Sequence, residues 1–337
     1  MKKQILILTL LLPLLAGCTA KQPEPLPCTP GEAQRLVVYT SHKEEVYTPI
    51  IREFEERTGI WVDVVSGGTN ELLQRIQQEA DAPKADVMFG GGVESLESYQ
   101  DCFSPYICRE AAGISEQFQA ESGYWTPFSA LPVVLVYNTK LVAPESLTSW
   151  KDLESPAFRG EIAFADPQIS GSSYTALVTR LQTGGGMEDS LTRLCTALDG
   201  KQLDSSGAVL TAVADGSALV GITLEETALQ HIAAGEDIAL VYPSDGTSCV
   251  PDGSALVKGA PHGDNARLFL DFTVSTDVQS MVGQRFCRRT VRADIPADPS
   301  LPPLSTLNMV SYDVEWASQN RDRLLSEWSF LLGEVPS

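Results

Sequence analysis

Apolar and polar positions fall into a block that repeats three times between residues 36 and 92. Leu36 to Tyr39 is a short apolar run rich in β-branched residues, followed by the polar turn Thr40-Ser41-His42-Lys43. Val46, Tyr47, Ile50, Ile51 and Phe54 then form one stripe at helical spacing, with Glu45, Glu53, Glu55 and Glu56 outside it. Pro49 lies inside this pattern, which predicts a short first turn and a restart with Pro49 at the first position of the main helix. Thr58-Gly59 closes it. The second block is a strand from Ile60 to Val65, the turn Ser66-Gly67-Gly68-Thr69-Asn70, and a helix carrying Leu72, Leu73 and Ile76, with Thr69 or Asn70 as its expected cap. The third is the strand Asp86 to Phe89, ending in Gly90-Gly91-Gly92. Strand, polar turn and helix in this rhythm predict a parallel, doubly wound sheet.

The rhythm breaks at Trp125 to Asn138, a long run that reads as a strand crossing between two lobes. Beyond it the pattern predicts a short helix at Trp150 to Leu153 and a strand at Glu161 to Ala165. The turn Asp166 to Ser173 follows, then a helix through Ala176, Leu177, Val178 and Leu181. A strand from Ala218 to Ile222 meets Thr223-Leu224-Glu225-Glu226. Another, Ile238 to Tyr242, runs into the small-residue stretch Pro243 to Ser248, which suits a return crossing. Helices are expected around Ala266 to Phe272 and Glu315 to Leu332. About three hundred residues exceed one ordinary core, so two lobes are expected: 35–130, then 131–249, with 250–337 returning to the first.

The chain ends and the charge change the picture further. Lys2 and Lys3 precede the apolar run Ile5 to Leu15, which closes in Leu15-Ala16-Gly17-Cys18; residues 1–17 read as an export signal, too short to span a membrane comfortably. The tetrad resembles a bacterial lipobox, which implies cleavage before Cys18 and a lipid on that thiol. Residues 18–34, with Pro23, Pro25, Pro27 and Pro30, read as a semi-extended spacer. Tethered this way, the protein stands outside the cytoplasmic membrane and touches it only through its anchor. The net charge is −20, and −22 without Lys2 and Lys3, which argues against nucleic-acid partners. Six cysteines remain beyond Cys18. Outside the cytoplasm an even set favours disulfides, with Cys102 and Cys108 as the expected pair and Cys249 with Cys287 as a second. No CxxC occurs, which weighs against zinc.

Candidate chemistry collects on the turns, because ligands in α/β folds bind where strands end and helices begin. Ser41 and His42 occupy the first turn. Gly91 and Gly92 serve either a tight turn or a close backbone approach to a ligand. Ser170, Gly171, Ser172 and Ser173 precede a helix, where unpaired N–H groups and serine hydroxyls suit an anion, although one serine can simply cap its own helix. Thr223 either caps the next helix or faces the cleft, as does a neighbouring glutamate. Arg285, Arg288, Arg289 and Arg292 form a basic cluster expected to pair mainly with surface acids. An extracellular hydrolase is a remote alternative, since GxSxG and HExxH are missing and His42, His231 and His262 are the only histidines.

Taken together, Val38 to Glu45, Phe54-Glu55-Glu56-Arg57-Thr58-Gly59-Ile60, Asp86 to Gly92, Ser170 to Ser173 and Gly246 to Gly253 resemble the extracellular solute-binding proteins of bacterial ABC importers. The likeness is to the branch holding ferric-ion, 2-aminoethylphosphonate and sugar-phosphate binders. It implies a two-lobed type II periplasmic-binding-protein fold, two doubly wound sheets joined by crossing strands, working as a monomer without a cofactor. It also implies no catalysis and delivery of a small solute to a permease with its cytoplasmic ATPase. Ferric binders of the branch use adjacent tyrosines where this chain has Leu224-Glu225-Glu226, so a metal site would fall back on His42 and Glu225. The anion loop is retained. The resemblance therefore implies a phosphate or phosphonate head held at Ser170 to Ser173 with Ser41 and Thr69 opposite, and Glu225 or Asp245 meeting an ammonium or sugar hydroxyls.

Overall fold

The computed structural model describes residues 30–333 except Glu121 and Gly185. The expected signal 1–17, the lipidation site Cys18 and most of the spacer 18–34, Cys28 included, lie outside the described residues.

The first lobe opens with β1 (Arg35–Thr40), α1 (Glu44–Thr58), β2 (Trp61–Ser66), α2 (Thr69–Gln78), β3 (Val87–Gly92), α3 (Val93–Ser98) and the short β4 (Phe103–Ser104). The chain crosses on β5 (Thr126–Asn138), whose thirteen residues are all buried. The second lobe holds β6 (Ile162–Ala163), α4 (Gly171–Gln182), α5 (Met187–Leu198), α6 (Ser206–Ala214), β7 (Val220–Leu224), α7 (Glu225–Ala233) and β8 (Ile238–Val241). The return runs on β9 (Cys249–Val257) into α8 (Gly263–Thr273), α9 (Thr276–Phe286) and β10 (Arg289–Thr290). The C-terminal helices are α10 (Val314–Gln319) and α11 (Arg321–Leu332).

Strand order is β2-β1-β3-β9-β5-β7-β6, so a single hydrogen-bonded path runs through both lobes by way of β5. Residues 126–132 of β5 pair with β9, and Val133–Tyr137 pair with β7. The first three strands are parallel, as the strand-turn-helix rhythm requires. In the first lobe, α1, α8 and α9 bury Ile50, Phe54, Phe269 and Val282 on one face. The other face carries Leu72, Leu73 and Leu96 from α2 and α3. The second lobe repeats the arrangement, with α4 and α5 on one face and α6 and α7 on the other. Asp86, the one polar residue of its strand, is fully buried and accepts hydrogen bonds from the Val37 and His262 amides.

Four expectations are corrected here. Helix α1 runs unbroken through Pro49; the carbonyl deprived of a partner is that of Glu45 in the exposed first turn, while Val46, Ile50, Ile51 and Phe54 anchor both halves to the core. Neither Thr69 nor Asn70 caps α2, which begins at Thr69 with Gly68 as its cap. The return segment does not stay in the first lobe. Met309 pairs with Thr247 beside the crossing strands, and Ala317, Leu324, Leu325 and Trp328 complete the second-lobe core. Finally, Cys102 and Cys108 are both free, as are Cys249 and Cys287. Cys102 packs toward the α2/α3 core, whereas Cys108 is buried with Ile114, Phe118 and Val291, so the two thiols serve different cores.

Candidate functional site

A cavity of about 190 Å³ opens between the lobes. The caps of six helices line it: Lys43 before α1, Gly68 before α2, Gly92 before α3, Ser170 before α4, Ser205 before α6 and Leu224 before α7. Each of these ends directs unpaired N–H groups and the positive end of a helix dipole towards its start. An acidic chain thus surrounds its cleft with backbone positive potential.

The lobes touch between α2 and α4. A Cβ placed on Gly171 would lie 3.0 Å from the Thr69 hydroxyl oxygen. Beside this point the Asn70 side-chain amide donates to the Pro167 and Gln168 carbonyls of the second lobe. Ser170 caps α4 by accepting from the Ser173 amide, and its hydroxyl lies 3.0 Å from that of Ser172. The Ser170 carbonyl takes the Tyr174 amide. Among the described residues this leaves the Gly171 and Ser172 amides of the first turn without an acceptor. Gly90 and Gly91 hold φ of 107° and 101°, a backbone that side chains rarely adopt. A Cβ on Gly91 would also strike the Thr69 methyl at 2.7 Å, so the glycines permit this close wall.

Ser41, His42, Thr69, Gly91, Gly92, Ser170, Gly171, Ser172 and Thr223 are brought together around the cavity. Three other predicted residues are not. Ser173 points its amide into the cap and stands behind Ser172. Asp245 is engaged elsewhere, accepting from the Trp150 and Lys151 amides at a short 3₁₀ helix. Glu225 is clamped by Arg289 through two 2.7 Å hydrogen bonds and receives a third from the Tyr242 hydroxyl. Thr223 caps nothing, since α7 starts after Leu224 without a side-chain cap.

His42 lines the cleft but is not a cationic donor. Its ring packs against Phe89 and Phe128 at centroid distances of 4.4 and 5.0 Å. Burial, reinforced by the nearby Arg288 charge, pushes its pKa well below the ordinary histidine value. The imidazole is therefore neutral at physiological pH.

The basic cluster supplied the residue that spacing did not single out. Arg288 lies at the cavity floor, donating to Asp252 at 2.7 Å, to the Ser129 hydroxyl at 3.0 Å and to Glu226 at 3.2 Å. Burial opposes its charge, yet Glu226 and Asp252 outweigh burial and hold it protonated. Arg288–Glu226 and Arg289–Glu225 both link the lobes, so the two adjacent glutamates are each matched by one of two adjacent arginines. These partners are buried acids, against the expectation of surface pairing; Arg292 alone follows it, with Asp294 and Glu110. Lys43, Asp204, Ser205 and Ser206 also line the cavity without having been singled out. Ser205 sits directly before the apolar positions Val209, Leu210 and Val213 of α6, the same signal that marked Ser170. Among the described residues, no group of three or more His, Cys, Asp or Glu is arranged to hold a metal ion, and no helix is long and apolar enough to cross a membrane.

Two α/β lobes closing over a polar cleft, joined by long crossing strands, define a two-lobed receptor of the type II periplasmic-binding-protein class. The chain belongs to the bacterial extracellular solute-binding proteins, whose family profile matches residues 36–285. These are binding proteins, not enzymes. The chain is 26% identical to iron uptake protein A1 of Synechocystis over 86% of this chain and 84% of that protein. It is 22% identical to a Salmonella typhi protein provisionally named as a 2-aminoethylphosphonate-binding periplasmic protein, over 73% and 74% of the two chains. The periplasmic binding protein AfuA of Actinobacillus pleuropneumoniae, solved with fructose-6-phosphate bound, superposes with a TM-score of 0.82 at 25% identity, covering 88% of this chain and 98% of that one.

Proposed function

We propose that this receptor captures a small solute with a phosphate or phosphonate head and passes it to an ABC permease. The observation that carries the reading is the convergence of six helix starts on one cavity, with the first turn of α4, whose Gly171 and Ser172 amides are free among the described residues, packed at Gly171 against Thr69 of α2. A tetrahedral anion accepts several hydrogen bonds at once, which matches paired amides and hydroxyls from two lobes. Ser41, Thr69, Ser170 and Ser172 supply hydroxyls. Asp204 and the Glu226 oxygen not taken by Arg288 stand elsewhere on the cavity wall and suit the hydroxyls or ammonium of the solute's remainder. The fructose-6-phosphate bound by AfuA and the name of the Salmonella relative support this class.

The ferric alternative draws support from the Synechocystis relative. On this chain it would use His42 and Glu225, but Glu225 is saturated by Arg289 and Tyr242 and does not line the cavity. The anion reading uses the residues that do. Anchoring through a lipidated Cys18, with the body acting as a monomer outside the membrane, completes the proposal.

A thermal-shift screen of hexose phosphates, 2-aminoethylphosphonate and ferric salts tests it. Stabilisation by a phosphorus compound, with none by the dephosphorylated sugar, is expected. Response to ferric salts alone would overturn it.

A further inference from the structure

Glu94 is a carboxyl group enclosed at the junction of the lobes, with no ion-pair partner among the described residues. It belongs to α3 of the first lobe and is completely buried. Its Oε1 receives the hydroxyl of Thr175 from α4 of the second lobe, while Oε2 has no hydrogen-bond partner among the described residues. The carboxyl lies over Gly92, where a Cβ would come 2.5 Å from Oε1. Gly92 and Thr175 both line the cavity, so Glu94 stands immediately behind its wall.

Among the described residues none of the surrounding charged and titratable groups forms an ion pair or hydrogen bond with its carboxyl. Tyr174 donates its hydroxyl to the Ala317 carbonyl. The Tyr312 hydroxyl is buried and unpartnered among the described residues. From α11, Arg321 rests against the rings of Tyr99 and Tyr174 and approaches Asp322 at 3.6 Å. From β9, Asp252 is held by Arg288 and Ser129. On α10, Asp313 caps Trp316 and Glu315 pairs with Gln319; on α2, Arg75 pairs with Glu79. Desolvation therefore dominates and pushes the Glu94 pKa up to about 7, against the smaller pull of the Thr175 hydrogen bond, its own backbone and Arg321.

A threonine hydroxyl has a single proton. With Glu94 ionised, that proton goes to Oε1 and Thr175 shows the cavity only lone pairs, which repel an anion. With Glu94 protonated, the carboxyl donates to the Thr175 oxygen and the threonine proton is released, to the Gly171 carbonyl 3.2 Å away in the empty cleft and to the stronger acceptor when an anion occupies the cavity that Thr175 lines.

We propose that Glu94 is a positioning residue for the bound anion: protonated, it turns Thr175 from an acceptor into a donor, so that capture takes up one proton from solvent. The inference rests on the anion reading above.

The test is the affinity of the full mature protein for a hexose phosphate and for 2-aminoethylphosphonate between pH 5.5 and 8.5, in wild type, Glu94→Gln and Thr175→Val. The glutamine amide donates to Thr175 at every pH, and the ligand's own titration cancels in the ratio of wild type to Glu94→Gln. Wild-type affinity is expected to fall relative to Glu94→Gln above neutrality, approaching tenfold per pH unit. Thr175→Val should bind weakly at low pH, and substituting Glu94 in that background should change nothing further. Binding with a wild-type to Glu94→Gln ratio constant across the range would overturn the role of Glu94 and leave the anion reading standing. Failure of both probes to bind at any pH would remove both.

Discussion

Gly171 and Thr69 close the cleft against each other: the Thr69 hydroxyl oxygen occupies a point 3.0 Å from where a Gly171 Cβ would sit. One belongs to the start of α4 and the other to the start of α2, so the contact forms only when the lobes come together. A side chain on Gly171 acts as a wedge there. Gly171→Leu is expected to lower solute affinity at least tenfold while the melting temperature of the unliganded protein changes little. Calorimetry and a melting curve on the same sample check this, and unchanged affinity would contradict it.

The Arg289–Glu225 pair, away from the cavity, makes a second and purely structural link. Glu225 is 1% exposed at its side chain, and among the described residues Arg289 is its only cation. Arg289→Ala leaves that carboxylate buried with Tyr242 alone, a change expected to destabilise the protein by about 3 kcal/mol or more in denaturant unfolding. Arg57→Ala, which removes an exposed pair with Glu53 and Asp277, should cost under about 1 kcal/mol. Equal effects of the two substitutions would refute the assignment.

Much of this arrangement was legible in the sequence. The turns at Ser41, Thr69, Gly91 and Ser170 were found because each ends an apolar run and opens a helical stripe, and a doubly wound lobe sends all such turns to one edge. What escaped was decided by long-range packing. Asp252 lies on a crossing strand and Arg288 at the end of α9, and neither position marks a ligand turn. Glu225 and Glu226 are neighbours in sequence, yet the helical rotation between them sends Glu226 to the cavity and Glu225 to Arg289. Asp245 lies beside a turn that suits a ligand equally well, but the amides of Trp150 and Lys151 capture it. Glu94 follows three glycines as an ordinary first-turn acid; only the second lobe closing over it removes its water.

That removal of water has a stability signature. The Glu94 pKa rises from 4.5 to about 7 on folding, so between these values the folded protein holds more protons than the unfolded chain. Stability relative to Glu94→Gln is therefore fully present below about pH 4.5 and declines as pH rises towards 7, by roughly 3 kcal/mol at about 1.4 kcal/mol per unit. Urea unfolding of both proteins across this window measures it. A pH-independent difference would show that the carboxyl is solvated.

The cysteines offer a chemical check on the packing. Cys102 and Cys108 face separate cores and are free. Alkylation of the denatured protein without reductant, read by peptide mass spectrometry, should label both. A Cys102–Cys108 cross-linked peptide would contradict the fold around β4.

The most direct measurement is a crystal structure of the protein with a hexose phosphate bound. The phosphorus is expected between the starts of α2 and α4, with its oxygens about 3 Å from the Gly171 and Ser172 amides and from the Ser41 and Thr69 hydroxyls. A phosphate located away from these helix starts, or a cleft holding a metal ion through His42 or Glu226 instead, would contradict the account.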